Sequence, residues 1–324
     1  MAAWLVRRLA ATLAIVFAVL TLVFIAIHLA PGRPFLPAEG RPLDPAVAAE
    51  LRRRFGLDDP LPVQYVRYVA RLAHGDLGES FSQQRPVAAA LADAIPNTLV
   101  LALAALAIDL LCGTAIGVIQ AARAGSRTDA ALGALTLAAY ALPTFWLGLV
   151  LLLVFGQWLH WFPIGGVVDP VLHADLPFAG RLLDRLRHLA LPALALGLVG
   201  AGGTARFQRA ALLDVLQLDF VRAARARGLS WGRVMVRHAL RNALLPTITL
   251  IGLALPFLLT GSVVVETVFA WPGMGKLAAD AILSRDYPVV AATTLVAATL
   301  VALGSLLADV LYALADPRIA AAGR

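Results

Sequence analysis

Long apolar runs separated by charged segments are the feature that most restricts how this chain can fold. A helix needs about 20 consecutive apolar residues to cross a hydrocarbon core of about 30 Å. Six runs reach or approach that length, namely Leu9–Ala30, Thr98–Ala122, Ala130–Trp158, Leu189–Ala205, Ala243–Val265 and Val289–Ala315. Because 60% of the 324 residues are apolar and 15% are charged, the chain has too little polar surface for a soluble domain. The pattern predicts an all-α polytopic membrane protein with six transmembrane helices.

The first run directly follows Arg7 and Arg8, an arrangement that also occurs in secretory signal peptides. Its apolar stretch is longer than the usual core of a signal peptide, and residues 27–30 form a poor cleavage site. We therefore expect a retained transmembrane helix.

The distribution of charge predicts the orientation, because cytoplasmic loops carry an excess of Lys and Arg. With the N-terminus in the cytoplasm, the N-terminal tail, residues 123–129, 206–242 and the C-terminal tail hold 14 Arg and four acids. The outer segments 31–97, 159–188 and 266–288, with Glu266 set aside, hold 13 basic and 13 acidic residues. Both termini are thus predicted to be cytoplasmic. The net charge of +7 follows from topology and needs no nucleic-acid partner.

The most basic loop lies between the fourth and fifth runs, with eight Arg and two acids in residues 206–241. The pattern predicts two short helices: Asp219 caps Phe220–Arg227, Gly228 ends it in a left-handed conformation, and Ser230 caps Trp231–Leu244. Three arginines then form a stripe at helical spacing, Arg233, Arg237 and Arg241. Ala223, Ala224 and Ala226 allow another surface to approach the backbone. The loop is predicted to be a small knob with an arginine rim, suited to a cleft on a soluble, acidic partner.

The stretch from Asp219 to Pro246 resembles the cytoplasmic "EAA" loop of type-1 ABC transporter permeases, in the dipeptide, oligopeptide and nickel branch. Arg222, Ala223 and Ala224 occupy the Glu-Ala-Ala positions, and Gly228 is the loop glycine. Arg222 replaces the Glu of the general pattern, so arginines are expected to make the polar contact with the partner.

Further short motifs resemble the same branch in the same order along the chain. They are Pro31-Gly32, Gly56-Leu57-Asp58, Gly75-Asp76-Leu77-Gly78-Glu79-Ser80, Pro143-Thr144-Phe145-Trp146-Leu147-Gly148, His188-Leu189-Ala190-Leu191-Pro192, Glu266-Thr267-Val268-Phe269, Pro272-Gly273-Met274-Gly275, Arg285-Asp286-Tyr287-Pro288 and Asp316-Pro317-Arg318-Ile319. One such motif would be weak, whereas nine in order are specific.

The resemblance implies one permease subunit of an ATP-driven importer in the bacterial cytoplasmic membrane. Its partners would be a second homologous permease, two cytoplasmic ATP-binding subunits, an extracytoplasmic solute-binding protein and membrane lipid. The chain itself would be no enzyme and would hold no cofactor, since ATP is bound by partner subunits. The implied ATPase-coupling residues are Asp219, Arg222, Ala223, Ala224, Arg225, Arg227, Gly228, Leu229, Arg233 and Arg237.

The resemblance also divides the chain. Residues 1–30 would be the N-terminal tail and first helix, and 31–95 an extracytoplasmic segment. Residues 96–315 would be the type-1 permease core with the coupling loop 206–242, and 316–324 a cytoplasmic tail. Peptides are the expected solute, with nickel chelates or glutathione-like compounds as alternatives.

Acids within apolar spans are candidates for function, because they are costly in a bilayer. Asp109 is a candidate for lining the translocation path, with a role in helix packing as the alternative. Asn97, at the start of the second span, is a further candidate, with a helix start as the alternative. Glu266 and Asp309 are expected to hold helices together.

Other chemistry finds little support. The single Cys112 allows no disulfide, and the six His lack metal-ligand spacing. The glycine clusters at 200–203 and 273–275 match no nucleotide-binding motif, and the first is expected to be a site of close helix packing. A secondary transporter would show internal repeats, and a lipid-binding scaffold would use the basic loop on anionic lipid; both remain alternatives of another class.

Overall fold

The computed structural model describes residues 2–29, 53, 58–244 and 262–315, and the statements on the fold concern these residues. The helices are α1 (Ala2–Leu29), α2 (Leu61–Ala73), α3 (Val87–Ala122), α4 (Arg127–Ala141), α5 (Thr144–Leu151), α6 (Phe178–Leu216), α7 (Asp219–Ala226), α8 (starting with Trp231–Arg233), α9 (Met274–Ser284) and α10 (Tyr287–Ala315). α5 continues as a π-helix over Leu152–Trp158, and α8 continues through a π-helical stretch, Val234–Ala239, to residue 244. A short helical stretch, 262–268, precedes the turn into α9. The all-α membrane fold is confirmed.

Four of the described helices, α1, α3, α6 and α10, are long and apolar enough to cross a membrane. Together, α4 and α5 can form a fifth crossing. The predicted span Ala243–Val265 lies outside the described residues except at its two ends, as does Pro246. The count of six spans therefore stays a prediction.

The predicted continuous span Ala130–Trp158 is wrong in one respect. Its two helices, α4 and α5, meet at an angle of 102°. Leu142 is extended (ψ 135°), and Pro143 holds the N-cap position of the next helix. The cause is local: the proline ring disfavours the helical conformation of the preceding residue.

Two other helices are longer than predicted. The predicted span Thr98–Ala122 starts earlier in the structure, since α3 runs without a break from Val87 through Pro96 to Ala122. Beside this proline, the side-chain amide of Asn97 donates to the carbonyl of Asp93 at 3.1 Å. α6 likewise extends well beyond Leu189–Ala205 and contains Pro192. Neighbouring side chains and helices can compensate for such prolines within a membrane protein.

The core lies where α3 and α6 pack along a seam of small residues. An added Cβ at Gly117 would lie 2.7 Å from the carbonyl oxygen of Ala205, and one at Gly197 would lie 2.8 Å from that of Ala105. Backbones can approach this closely because glycine has no side chain. The expected close packing at residues 200–203 is found as well, since a Cβ at Gly202 would lie 2.5 Å from the carbonyl oxygen of Thr136 in α4. The seam holds α3, α4 and α6 as one unit.

Candidate functional site

The end of this unit that carries the turn 123–126 and residues 217–244 is called the basic end, and residues 217–244 are called the two-helix segment. α6 ends at Leu216, a short turn follows, and α7 then runs to Ala226. Gly228 has φ +80°, the left-handed conformation predicted from the sequence. Ser230 occupies the predicted N-cap position of α8, but its side chain makes no capping hydrogen bond.

The two-helix segment is packed onto the bundle. Val221 and Ala224 of α7 and Val234 of α8 are at most 2% exposed and form one small core against Leu216 and Leu229. A second core joins α8 to α6 and to the end of α3 through Ala121, Leu212, Met235, Ala239 and Ala243. The two clusters together hold the segment rigidly against the bundle, so displacing it would displace α6.

The outer surface of the two-helix segment is cationic. Its side chains Arg222, Arg225, Arg227, Arg233 and Arg237 are all exposed, with Ala223 and Ala226 between them. The guanidinium of Arg225 lies 5.1 Å from the centroid of the Trp231 ring, which links the two helices. This arrangement provides guanidinium groups around a close-approach surface of alanines, as a partner with carboxylates would require.

Two details of the predicted knob are wrong. Asp219 was expected to cap α7, but it is the first helical residue and Leu218 holds the N-cap position. The Asp219 carboxylate instead pairs with Arg222, one turn along the same helix. Ala224 was expected on the docking surface, but it is 2% exposed and faces the small core. Val221 and Ala224 are three residues apart, so helical periodicity places both on the buried face of α7, a relation that the alanine-rich composition obscured.

A partly buried ion pair at the basic end was missed by the sequence reasoning. Arg209 of α6 donates from Nε to Oδ1 of Asp129 at 2.8 Å and from Nη2 to Oδ2 at 2.7 Å. The same carboxylate accepts from Gln120 of α3 at 3.4 Å and from the backbone N–H of Gly125 at 3.0 Å. The charge distribution assigned both residues to cytoplasmic loops. They are 80 residues apart, and a single sequence does not indicate that two such distant residues are in contact.

Glu266 lies at the opposite end of the bundle and is fully buried. Its carboxylate accepts from the hydroxyl of Thr98 at 2.8 Å and from the backbone N–H of Lys276 at 2.9 Å. Gly273 is pressed against it, since an added Cβ would lie 2.4 Å from the carboxyl carbon. These contacts support the prediction that Glu266 holds helices together.

Asn97 takes part in the same junction. Its side-chain amide donates to the carbonyl of Pro272 at 2.9 Å, and the indole N–H of Trp271 donates to the carbonyl of Asn97 at 3.0 Å. Asn97 therefore fastens α3 to the turn before α9, and these contacts do not favour its proposed role in a translocation path.

Asp109 and Asp309 are the remaining acids predicted within the spans. Asp109 lies on the α3–α6 seam, where an added Cβ at Gly200 would lie 2.8 Å from its carboxyl carbon. Packing is thus its observed environment, and lining of the path stays a prediction. Asp309 belongs to the part of α10 whose side chains are outside the described residues.

A second buried carboxylate at the opposite end was also missed. Asp286 is fully buried, and its Oδ2 accepts from the hydroxyls of Ser80 and Ser82 at 2.5 and 2.7 Å. Two of the motifs that carry the family resemblance, residues 75–80 and 285–288, thus meet in space. The sequence shows both motifs, but nothing in it indicates that they touch.

A cavity of about 630 Å³ opens beside the segment 159–188. Asp169 borders it and accepts backbone N–H groups of Val171 and Leu172 at 2.8 and 2.9 Å. The hydrogen bonds from Leu172 and Val171 hold the pKa of Asp169 below its usual range. Among the described residues, no cluster of three or more His, Cys, Asp or Glu is arranged to hold a metal ion.

The geometry is that of a helical membrane subunit with a cationic two-helix segment packed onto its bundle, and comparison with known families agrees on the class of protein. Residues 113–321 match the family of binding-protein-dependent transport system inner membrane components, and residues 1–102 match its N-terminal component. The chain belongs to this family. It is a multi-pass permease subunit of the bacterial inner membrane, part of an ABC transport system that also has an ATPase and a binding protein.

The chain is similar over nearly its whole length to several permeases. It is 43% identical over 332 residues to the di/tripeptide transport system permease protein DppB of Pseudomonas aeruginosa (98% of this chain, 99% of the relative). It is 39% identical over 320 residues to the oligopeptide transport system permease protein AppB of Bacillus subtilis (98% and 99%). It is 38% identical over 316 residues to the glutathione transport system permease protein GsiC of Pectobacterium atrosepticum (98% of each).

Proposed function

We propose that this permease carries peptides into the cell and is driven through its two-helix segment. In this proposal, the segment docks into a cleft of a cytoplasmic ATP-binding subunit. A complete importer contains a second homologous permease, two ATP-binding subunits and one solute-binding protein. ATP is bound by the partner subunits, and this chain holds no cofactor.

One observation carries the docking proposal: five exposed arginines stand on a segment whose buried side is packed onto α6 and α3. A loop that only set the orientation in the membrane would need basic residues but no buried core against the bundle. Because the cores are tight, closure of the ATP-binding subunits around the segment would move α6 as a rigid element.

Replacing exposed Ala223 by Glu tests the docking. A carboxylate in the alanine surface would repel an acidic cleft and block close approach, so Ala223→Glu should reduce co-purification of the ATP-binding subunit at least tenfold. Ala89→Glu is the matched control, since Ala89 is exposed on α3 near the opposite end. Equal recovery of the ATP-binding subunit with both variants would reject docking through this surface.

The peptide substrate is supported by the relatives that are named as peptide permeases. Uptake of labelled di- and tripeptides by cells expressing the complete importer should exceed that of cells without this chain. The glutathione permease among the relatives makes glutathione the second candidate. If the importer takes up glutathione but neither dipeptides nor tripeptides, glutathione replaces peptides as the proposed solute.

A further inference from the structure

The Arg209–Asp129 ion pair joins three helices at the point where the two-helix segment meets the bundle. Gln120 comes from α3, Asp129 from the first turn of α4 and Arg209 from α6. The pair is bidentate, so it restrains the orientation of the two helices as well as their distance. We call Gln120, Asp129 and Arg209 the clamp.

The clamp is partly shielded from water. The side chain of Asp129 is 8% exposed and that of Arg209 is 34% exposed. Asp129 has further hydrogen bonds from Gly125 and Gln120, so the carboxylate is held from several sides. A surface ion pair contributes little, whereas loss of one partner from a shielded pair leaves a charge without compensation.

The clamp is also close to the two-helix segment. Arg209 lies seven residues before the end of α6 at Leu216, which is about 10 Å along the helix. Its neighbour Gln208 is fully buried and donates to the carbonyl of Ala243 in α8 at 3.4 Å. Adjacent residues of α6 therefore face α8 on one side and α4 on the other.

We infer that Arg209 and Asp129 are positioning residues for transport: they make α4 follow the two-helix segment when the ATP-binding subunit moves it. α4 leads directly into the 102° bend with α5, so the movement reaches that bend. The inference rests on the proposed docking. It identifies the residues that transmit the displacement from the two-helix segment to α4.

The test uses the complete importer in proteoliposomes and measures solute transported per ATP hydrolysed. Arg209→Gln should lower this ratio at least fivefold while the ATP-binding subunits still co-purify. Arg209→Lys keeps the charge but loses the second hydrogen bond, so an intermediate ratio is expected. Arg127→Gln is the matched control, because Arg127 is exposed two residues from Asp129, and it should keep the parental ratio.

A purely structural role predicts a different result, since poor folding lowers transport and ATP hydrolysis in proportion. An unchanged ratio in the Arg209→Gln or Arg209→Lys complex, whatever its yield, would overturn the inference. Failure of the ATP-binding subunits to co-purify with the parental permease would instead reject the docking proposal. The two proposals can therefore fail separately.

A distance measurement tests the movement itself. Spin labels at Gly232 on the segment and Leu135 on α4, both exposed, should give one narrow distance distribution that ATP binding does not change. In Arg209→Lys the distribution should broaden or shift on ATP binding. A parental distance that changes by more than the label width would also contradict rigid transmission.

Discussion

The hydroxyl of Thr98 donates to Oε1 of Glu266 at 2.8 Å and also accepts the backbone N–H of Met274 at 2.7 Å. A single side chain thus connects α3, the stretch 262–268 and the start of α9. Because Thr98 is 1% exposed and Glu266 is fully buried, bulk solvent does not reach this junction to replace a lost partner.

Thr98→Ala should destabilise the protein, because it removes one hydrogen bond from Oε1 of Glu266 and one from the Met274 N–H. An unsatisfied buried group costs about 1–3 kcal/mol. The thermal midpoint in detergent should fall by several degrees. Thr267→Ala is the matched control, since Thr267 is exposed and bonds to its own helix. Equal midpoints for the two variants would contradict a stabilising junction.

Gly117→Ala should disturb the α3–α6 seam. The added Cβ would meet the carbonyl oxygen of Ala205 at 2.7 Å and the Cβ of Gln208 at 2.8 Å. Overpacking of this kind costs about 1–3 kcal/mol. Gly232→Ala has open space and should have little effect on the thermal midpoint. A parental midpoint for Gly117→Ala would indicate that the helices separate without cost.

Ala223 and Ala224 should respond differently to glutamate. Ala224 is buried between α7 and α8, so Ala224→Glu should disrupt the two-helix segment and make it sensitive to protease. Ala223 is exposed, so Ala223→Glu should leave the segment folded while docking is lost. Limited proteolysis of the permease without its partners measures this difference. Equal cleavage of both variants would show that the small core does not hold the segment.

Ser80→Ala should loosen the contact between the segment before α3 and the start of α10. Ser80 is 2% exposed and donates to Asp286 at 2.5 Å. Its loss removes one hydrogen-bond donor from a buried carboxylate, with an expected cost of about 1–3 kcal/mol. Protease cleavage within residues 75–86 should become faster. Ser284→Ala, where the hydroxyl bonds within its own helix, should cleave at the parental rate.

The loop beginning at Asp169 should be stable to moderate acid. The folded pKa of this carboxyl is lowered by the N–H groups of Leu172 and Val171. Its stabilising contribution is therefore fully present above the usual carboxyl pKa of about 3.9 and is lost as the pH falls through the lower folded value.

Hydrogen exchange of residues 169–176, corrected for the intrinsic rate, measures this dependence. Protection should be equal at pH 7 and pH 5 and should decrease below about pH 4. Asp169→Asn should weaken protection at neutral pH. Loss of protection between pH 7 and 5 in the parent would assign the effect to histidine titration instead.

Local signals predicted the two-helix segment well. Gly228, Ser230 and the exposed arginines lie where the spacing of glycine, serine and arginine indicated, because helix ends depend on a few neighbouring residues. Two prolines show the limit of such local reasoning, namely Pro96 and Pro143. One proline is accommodated inside α3 and the other accompanies a sharp bend, and surrounding helices decide between these outcomes.

The sequence by itself determined the class of this protein: a helical membrane subunit with one strongly basic loop. Apolar run length and charge asymmetry suffice for that, because they reflect transfer of each residue between water and lipid. Only the tertiary structure decided which polar groups meet. Arg209 with Asp129, Thr98 with Glu266 and Ser80 with Asp286 are joined over 80, 168 and 206 residues. Such pairs depend on helix packing, and a single sequence contains no direct record of it.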